Sequence, residues 1–302
     1  MLTTVASRSR VRAYVALTKP RIIELLLVTT VPTMVVAERG LPSLWLMVAT
    51  VVGGTLAAGG ANAMNMVIDR DIDAVMERTR HRPLVTGDVT PTEALAFAVA
   101  LEAVAFAWLW ALVNPLSAVL AVGACLFYVV VYTIWLKRTS TSNIVIGGAA
   151  GAAPVLIGWA AVTGALAWEP LLLFAIIFFW TPPHYWPLAI KYTDDYSAAG
   201  VPMMPVVEGF RRTSLRILRY TLIVWVLTVA FGWVAGLSWI YLGAAMAVGA
   251  AFTGGALGLV REEDPQRAAQ RSIRMFAFSI THLTVLFTAM ALDQLILGGG
   301  PR

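Results

Sequence analysis

Asn65, Asp69 and Asp73 recur every fourth residue at the end of a long apolar run, Leu44 to Met64. On a helix that spacing lines three oxygen-bearing side chains along one face. Stacked carboxylates repel one another, and beside a bilayer they are costly to desolvate. Such a face is stable when a cation sits among the groups. Mg²⁺ is the natural one, because it is hard, prefers oxygen, and is usually held by one or two carboxylates together with substrate phosphates. The segment continues as Arg78-Thr-Arg80-His81-Arg82-Pro83, so three Arg follow within ten residues of Asp73. Guanidinium groups grip phosphate oxygens as planar forks. Carboxylates for a metal and Arg for its anion are what a metal-bound diphosphate requires. Asp71 points off the face and is assigned a local role.

A second polar stretch begins at Trp180-Thr-Pro-Pro-His184-Tyr-Trp and runs through Lys191-Tyr-Thr-Asp194-Asp195-Tyr196 to Pro205. Lys191 is a candidate partner for diphosphate, and Asp194 or Asp195 for a second Mg²⁺ site. Pro182-Pro183 should break or kink the helix that carries them, and a break at membrane depth is tolerated where it lines a cavity. His184 can contact substrate, carry a proton or make a structural hydrogen bond, and the sequence leaves these open. His282 reads as a satisfied buried histidine. No Cys/His metal-ligand spacing, Gly-x-Ser-x-Gly or Walker phosphate loop is present.

The elements that must position these residues are membrane helices. Apolar residues make up 59% of the chain, charged residues 13%, and the mean hydropathy is +0.77; a soluble domain has about 45–50% and about 25%. The apolar runs have the length of helical spans. Nine are expected, over 15–37, 43–65, 91–113, 115–136, 142–163, 168–190, 214–236, 238–260 and 274–297. With nine spans, 20 of the 22 Lys and Arg fall on one side, leaving Arg39 and Arg302 on the other. The positive-inside rule then makes the N-terminus and both polar loops cytoplasmic and the C-terminus external. The pI near 9.6 follows from this topology and from anionic ligands. Nucleic acid is not an expected partner, since no basic stripe is interleaved with stacking aromatics.

The expected fold class is therefore all-α: one polytopic domain over 1–302, with a cytoplasmic tail over 1–13 and nine transmembrane helices around a central cavity open to the cytoplasmic side. The polar loops, 65–90 and 184–213, each follow an even-numbered span, which suggests two four-helix halves facing that cavity. Gly53, Gly54, Gly59, Gly60, Gly147, Gly148 and Gly151 would let helices approach closely around it. Cys125, the lone cysteine, reads as a small buried apolar residue. No cleavable signal is found at the N-terminus.

The chain resembles the UbiA superfamily of intramembrane prenyltransferases over about 280 residues. The resemblance rests on Leu17-Thr-Lys19-Pro-Arg21, Asn65-Met-Val-Ile-Asp69-Arg-Asp-Ile-Asp73-Ala74, Met76-Glu-Arg-Thr-Arg-His-Arg-Pro83, Trp180-Thr-Pro-Pro-His184 and Asp194-Asp-Tyr196 with Ala199-Gly200. The Trp-Thr-Pro-Pro-His and Asp-Asp-Tyr elements are similar to those of the heme-farnesylating branch. Many members carry Asp-x-x-x-Asp in the second loop, whereas here Ala199 follows Asp195 by four residues and Lys191 precedes it by four. The resemblance implies farnesyl diphosphate and heme B as substrates, Mg²⁺ as cofactor, and the bacterial inner membrane with its lipids as the setting. Heme A synthase or a terminal oxidase assembly are the implied protein partners. It implies Asn65, Asp69, Asp73 and Asp195 as metal-binding residues, joined by Lys191 in catalysis. Lys19, Arg21, Arg78, Arg80, Arg82, His184, Asp194 and Tyr196 are the implied substrate-binding residues. In the implied reaction, aromatic-rich apolar walls shield a farnesyl cation from water. A UbiA-type enzyme acting on a quinone precursor is the nearest alternative. A secondary transporter with broken helices and intramembrane charge is a more distant one.

Overall fold

Runs of twenty apolar residues can satisfy their own backbone in lipid only as helices, and every element of the computed structural model is helical. The structure describes residues 9–298, without the side chains of 21–27. Eight helices among the described residues are long and apolar enough to span a membrane. They are α3 (Leu44–Ile68), α6 (Pro91–Leu112), α7 (Pro115–Thr139), α8 (Asn143–Thr163), α9 (Trp168–Lys191), α11 (Met204–Val234), α12 (Trp239–Val260) and α13 (Pro265–Leu297). Short helices fill the connections: α1 (Arg10–Thr18), α4 (Arg70–Val75), α5 (Pro83–Thr86) and α10 (Thr193–Ala198). The remaining helix, α2 (Pro20–Glu38), has 19 residues.

Local sequence sets the helix starts. Ser43, Thr90, Asn114, Ser238 and Asp264 each cap a helix through a side-chain oxygen, satisfying amides that would otherwise be orphaned. Thr90 and Glu93 complete a reciprocal capping box, and Pro91, Pro115 and Pro265 sit where no amide is needed.

Four expectations are corrected. The first span does not run unbroken from 15, because Lys19 adopts φ +52° and Pro20 starts a new helix. Of the break or kink expected at Pro182-Pro183, the break does not occur: the helix continues past Pro187 to Lys191. It packs against α8, α11 and α13, and bundled membrane helices tolerate internal prolines. The 184–213 stretch is consequently helix at both ends and loop only in its middle. Finally, α13 starts about ten residues before its expected span, at Pro265, and α11 opens with a short helical stretch from Met204 that is interrupted at Gly209 (φ +74°) before the helix runs on through the expected span. The stretches just before the expected spans carry Arg211, Arg212, Arg267 and Arg271, and hydropathy alone reads them as loop.

The long helices pack mostly in chain order, α3 on α6, α6 on α7, α7 on α8, α8 on α9, α9 on α11, and so on, until α13 returns to pack on α2. Both polar segments thus emerge at one end of a closed ring. At the other end Trp45, Trp168, Trp233 and Trp239 are exposed, as expected of interfacial aromatics. Within the ring lies a cavity of about 290 Å³. Gly54, Gly151 and seven alanines are among the residues that line it. Trp180 and Tyr128 line it but no Phe does, so the expected aromatic-rich wall is instead one of small side chains.

Candidate active site

The acid face forms as its spacing requires. The Asp69 amide bonds the Asn65 carbonyl at 2.9 Å, and the Asp73 amide bonds the Asp69 carbonyl at 2.8 Å. The three side chains therefore stay in line although α3 ends at Ile68. Asp69 is fully buried, and Asp73 and Asn65 nearly so. Burying two carboxylates requires compensating charge, and each is met by a cation from another element. Lys137 pairs with Asp69 Oδ2. Arg82 donates to Asp73 Oδ2 at 2.6 Å. Lys19 donates to Asn65 Oδ1 at 2.8 Å, while Asn65 Nδ2 donates to Asp69 Oδ2 at 2.7 Å and Thr133 Oγ1 at 3.1 Å. Arg138 lies 3.8 Å from Asp69 Oδ1, which has no hydrogen-bond partner.

The supports of this cluster come from distant parts of the chain. Asn62, one turn before Asn65, donates to the Thr18 carbonyl at 3.2 Å and so anchors the bend from which Lys19 reaches in. Burial, with Arg82 and Lys137 nearby, pushes the Lys19 ammonium down to about 7. Lys137 is presented by the last turn of α7, which is a π-helix over Phe127–Leu136; such segments are rare and recur at functional sites. Tyr132 of this segment stacks on Tyr128 at 5.4 Å and occupies the space beside Gly147, where a Cβ would overlap its ring. Asp71, expected to serve a local role, instead reaches across the fold: it is exposed, and a two-pronged pairing with Arg138, 67 residues away, at 2.7 Å holds its carboxyl down at about 2.

The two polar loops meet. The Arg78 amide donates to Asp195 Oδ2 at 3.3 Å, and the Arg78 guanidinium donates to the Tyr196 hydroxyl at 3.3 Å. Tyr196 in turn shares a 2.7 Å contact with the Tyr185 hydroxyl. Arg78 also lies over the Tyr192 ring, 5.5 Å from its centroid, a cation–π arrangement. Its Nε has no hydrogen-bond partner.

Not every candidate joins. Asp195 is not gathered with Asp69 and Asp73, and no three His, Cys, Asp or Glu side chains converge on one point among the described residues. Its carboxylate is occupied by the Arg78 amide instead. Arg80 is exposed and pairs with exposed Glu77 at 3.2 Å, away from the acid face. Asp194 is exposed at the start of α10, and Lys191 is exposed with its ammonium over Tyr192 at 5.2 Å. The side chain of Arg21 lies outside the described residues. His184 sits on the cavity wall, stacked on Trp180 at 4.3 Å and bonded to Ser279 at 2.7 Å. His282 is buried with both ring nitrogens unpartnered, contrary to the expectation that its hydrogen bonds are satisfied.

Lys137, Arg138 and Thr133 are the site residues that sequence reasoning missed. A Lys-Arg pair at the end of an apolar run looks like ordinary flanking charge, and only packing brings it to residues 65–71. Chemically, the arrangement is a buried oxygen-donor face already surrounded by cations, one helical turn beyond the cavity wall at Asn62. It can hold a hard metal ion and the anion bound to it.

The chain matches the UbiA prenyltransferase family over residues 26–280. It is 52% identical over 292 residues to the protoheme IX farnesyltransferase of Frankia alni, covering 95% of this chain and 99% of the relative. In three dimensions it is similar to digeranylgeranylglyceryl phosphate synthase, with a TM-score of 0.77 at 14% identity, covering 95% of this chain and 99% of that one. It is similar also to a UbiA homologue from Archaeoglobus fulgidus bound to DMAPP and Mg²⁺, with a TM-score of 0.59 at 18% identity, covering 91% and 99%. At such identities the structural likenesses speak for the fold. Sequence match, shared fold and an acid face ringed by cations agree, and this integral membrane protein belongs to the UbiA prenyltransferase family.

Proposed function

We propose that the protein transfers the farnesyl group of farnesyl diphosphate to the 2-vinyl group of heme B, with addition of water, giving heme O and diphosphate. The observation that carries this reading is the near full-length, 52% identity to a protoheme IX farnesyltransferase. The site supports the chemistry. Family membership leaves the transporter alternative without support, and the named relative favours heme over a quinone precursor.

The residues fit Mg²⁺. Asn65, Asp69 and Asp73 are hard oxygen donors on one face, and Asp69 Oδ1 is buried without a hydrogen-bond partner. Held by these residues, Mg²⁺ would neutralise the charge that builds on the leaving diphosphate, and a fold relative from Archaeoglobus fulgidus is bound to DMAPP and Mg²⁺. The chain's own cations do the rest. Lys19, Arg82 and Lys137 neutralise the acid face before substrate arrives and become the partners of phosphate oxygens once it is bound. Because they are preorganised in a water-poor site, they stabilise developing charge with little reorganisation. Arg78, held over Tyr192 and against Tyr196, faces the same anion. Asp195 fastens the first loop to the second and so positions Arg78. The small-residue cavity takes the apolar chain and limits water around it.

In the membrane, α2 is the ninth span. At about 1.5 Å per residue its 19 residues extend close to the ~30 Å hydrocarbon thickness. The N-terminus and both polar loops face the cytoplasm across the inner membrane, and the C-terminus lies outside. The 20-to-2 distribution of Lys and Arg supports this orientation. The deciding experiment incubates purified protein with heme B, farnesyl diphosphate and Mg²⁺ and identifies products by mass. A farnesylated, hydrated heme that appears only with all three is expected. Prenylation of a quinone precursor with heme left unchanged would refute the substrate assignment.

A further inference from the structure

His184 lines the cavity, and its neighbours determine which of its nitrogens carries the proton. Ser279 of α13 donates its one hydroxyl proton to the Phe276 carbonyl at 2.6 Å. Its oxygen can then only accept in the 2.7 Å contact with His184 Nδ1. The hydrogen-bond network thus assigns the neutral ring a proton on Nδ1 and a lone pair on Nε2. The ring cannot turn to offer the other nitrogen. Trp180 stacks on it at 4.3 Å and Phe276 at 4.7 Å, and Trp180 is itself fixed by donating to the Ser279 carbonyl at 3.2 Å. With two stacking partners and Nδ1 tied, the Nε2 edge is the one left toward the cavity. The other polar side chains on the wall are Asn62, Cys125, Tyr128, Thr29 and Thr181. Among these wall groups the imidazole is the strongest Brønsted base.

We infer that His184 Nε2 accepts the proton of the water that completes the reaction, and that Ser279 is the residue positioning it. The inference rests on the farnesyl-to-heme reading above. As the bond between farnesyl C1 and its diphosphate oxygen breaks, the leaving diphosphate keeps that electron pair. The vinyl π pair forms the new carbon–carbon bond and leaves positive charge on the vinyl carbon attached to the macrocycle. A lone pair of water bonds to that carbon. One O–H pair stays on oxygen while its proton passes to Nε2, giving an imidazolium that later releases the proton to solvent. Without a base beside the water, the cation more often loses a proton from the adjacent CH₂ instead, giving an alkene that lacks the elements of water.

The test reads the ratio of hydrated to unhydrated prenyl-heme by mass, which does not depend on how much enzyme turns over. Full-length protein in lipid nanodiscs is given heme B, farnesyl diphosphate and Mg²⁺. In His184→Gln the ratio should fall by at least ~100-fold, the scale of general-base catalysis. Ser279→Ala should lower it by ~10-fold, and Ser279→Thr, which restores an acceptor oxygen, should return it toward wild type. An unchanged ratio in His184→Gln overturns the inference, even if total turnover falls, because it would make His184 a binding or structural residue. If His184→Gln does not insert, the Ser279 pair decides, and equal ratios in Ala and Thr overturn the positioning. A wild-type protein that prenylates no heme at all refutes the reaction assignment and this inference with it, whereas hydrated product in wild type and variants alike refutes this inference alone.

Discussion

Replacing Lys137 by Met removes the cation that holds Asp69 while keeping a long apolar side chain in its place. Asp69 is fully buried and Lys137 is only 14% exposed, so the pair is shielded from water. Arg138 is a poor substitute: it stands 3.8 Å from Asp69 Oδ1 and is already engaged by Asp71 at 2.7 Å. Removing one partner of such a pair leaves a buried charge uncompensated, at a cost of about 3–5 kcal/mol. In melting temperature that is a fall on the order of 10 °C for a chain of this size. Asp69→Asn in the same background removes the orphaned charge, so the double variant should recover most of the loss. It should still be inactive, since it lacks a metal ligand as well as a phosphate partner, and each such electrostatic group is worth at least ~100-fold in rate. Thermal unfolding in nanodiscs and diphosphate release from farnesyl diphosphate measure the two effects separately. If Lys137→Met melts with wild type, or if the double variant is no more stable than the single, the pair is not what permits Asp69 to be buried and the reasoning fails.

Arg82→Lys keeps the charge beside Asp73 but loses the planar fork; it should reduce kcat/KM for farnesyl diphosphate by ~10-fold or more with little change for heme B, and an effect confined to heme would reassign Arg82 to the propionates. Gly147→Ala should destabilise the fold by about 1–3 kcal/mol, because the new methyl overlaps the Tyr132 ring and a packed helix pair must shift; a melting temperature equal to wild type would show that the Tyr132 seat is soft. In a Cys125→Ala background, Thr86→Cys and Ala198→Cys, at exposed positions of the two polar loops, should resist an impermeant thiol reagent in sealed cells and react in inverted vesicles, and Ser43→Cys should do the reverse; labelling of Thr86→Cys from outside would overturn the orientation.

What could be read in the sequence was what depends on near neighbours. Asn65, Asp69 and Asp73 were legible as one face because a period of four is the helix's own repeat, and the structure keeps that face although α3 ends inside it. Asp71 was legible as an outsider by the same rule. Arg78, Arg80 and Arg82 could not be told apart, because a loop has no period: only the fold sends Arg82 to Asp73, Arg78 to Tyr196 and Arg80 to solvent. Hydropathy located the spans but cut short α13, whose Arg-rich opening is helical because it is amphipathic, and it gave no sign of the interruption at Gly209 near the start of α11. The prolines of α9 were weighed as breakers by a rule whose force depends on what surrounds the helix, and here three packed neighbours surround it.

The residues that sequence could not reach are those whose role is set by closure of the ring. Lys137 lies 68 positions from Asp69, and nothing near it in the chain distinguishes it from flanking charge. Its presence explains how the acid face exists before any metal is bound. Three oxygen-bearing side chains at the edge of a bilayer suggested a cation among them, and the structure supplies Lys19, Arg82 and Lys137 in that role. A metal ion carrying a diphosphate would exchange one set of charges for another. Asp69 and Asp73 would turn from the cations to the metal while Lys19, Arg82 and Lys137 turned to the anion, so the net burial of charge would change little. A face built in this way holds its geometry in the resting protein, yet binds the metal weakly unless the diphosphate arrives with it, since the metal alone would strand the cations. Metal binding measured with and without a prenyl diphosphate should therefore differ by at least ~10-fold in Kd, or about 1.4 kcal/mol; equal affinities would mean that the cations do not exchange partners.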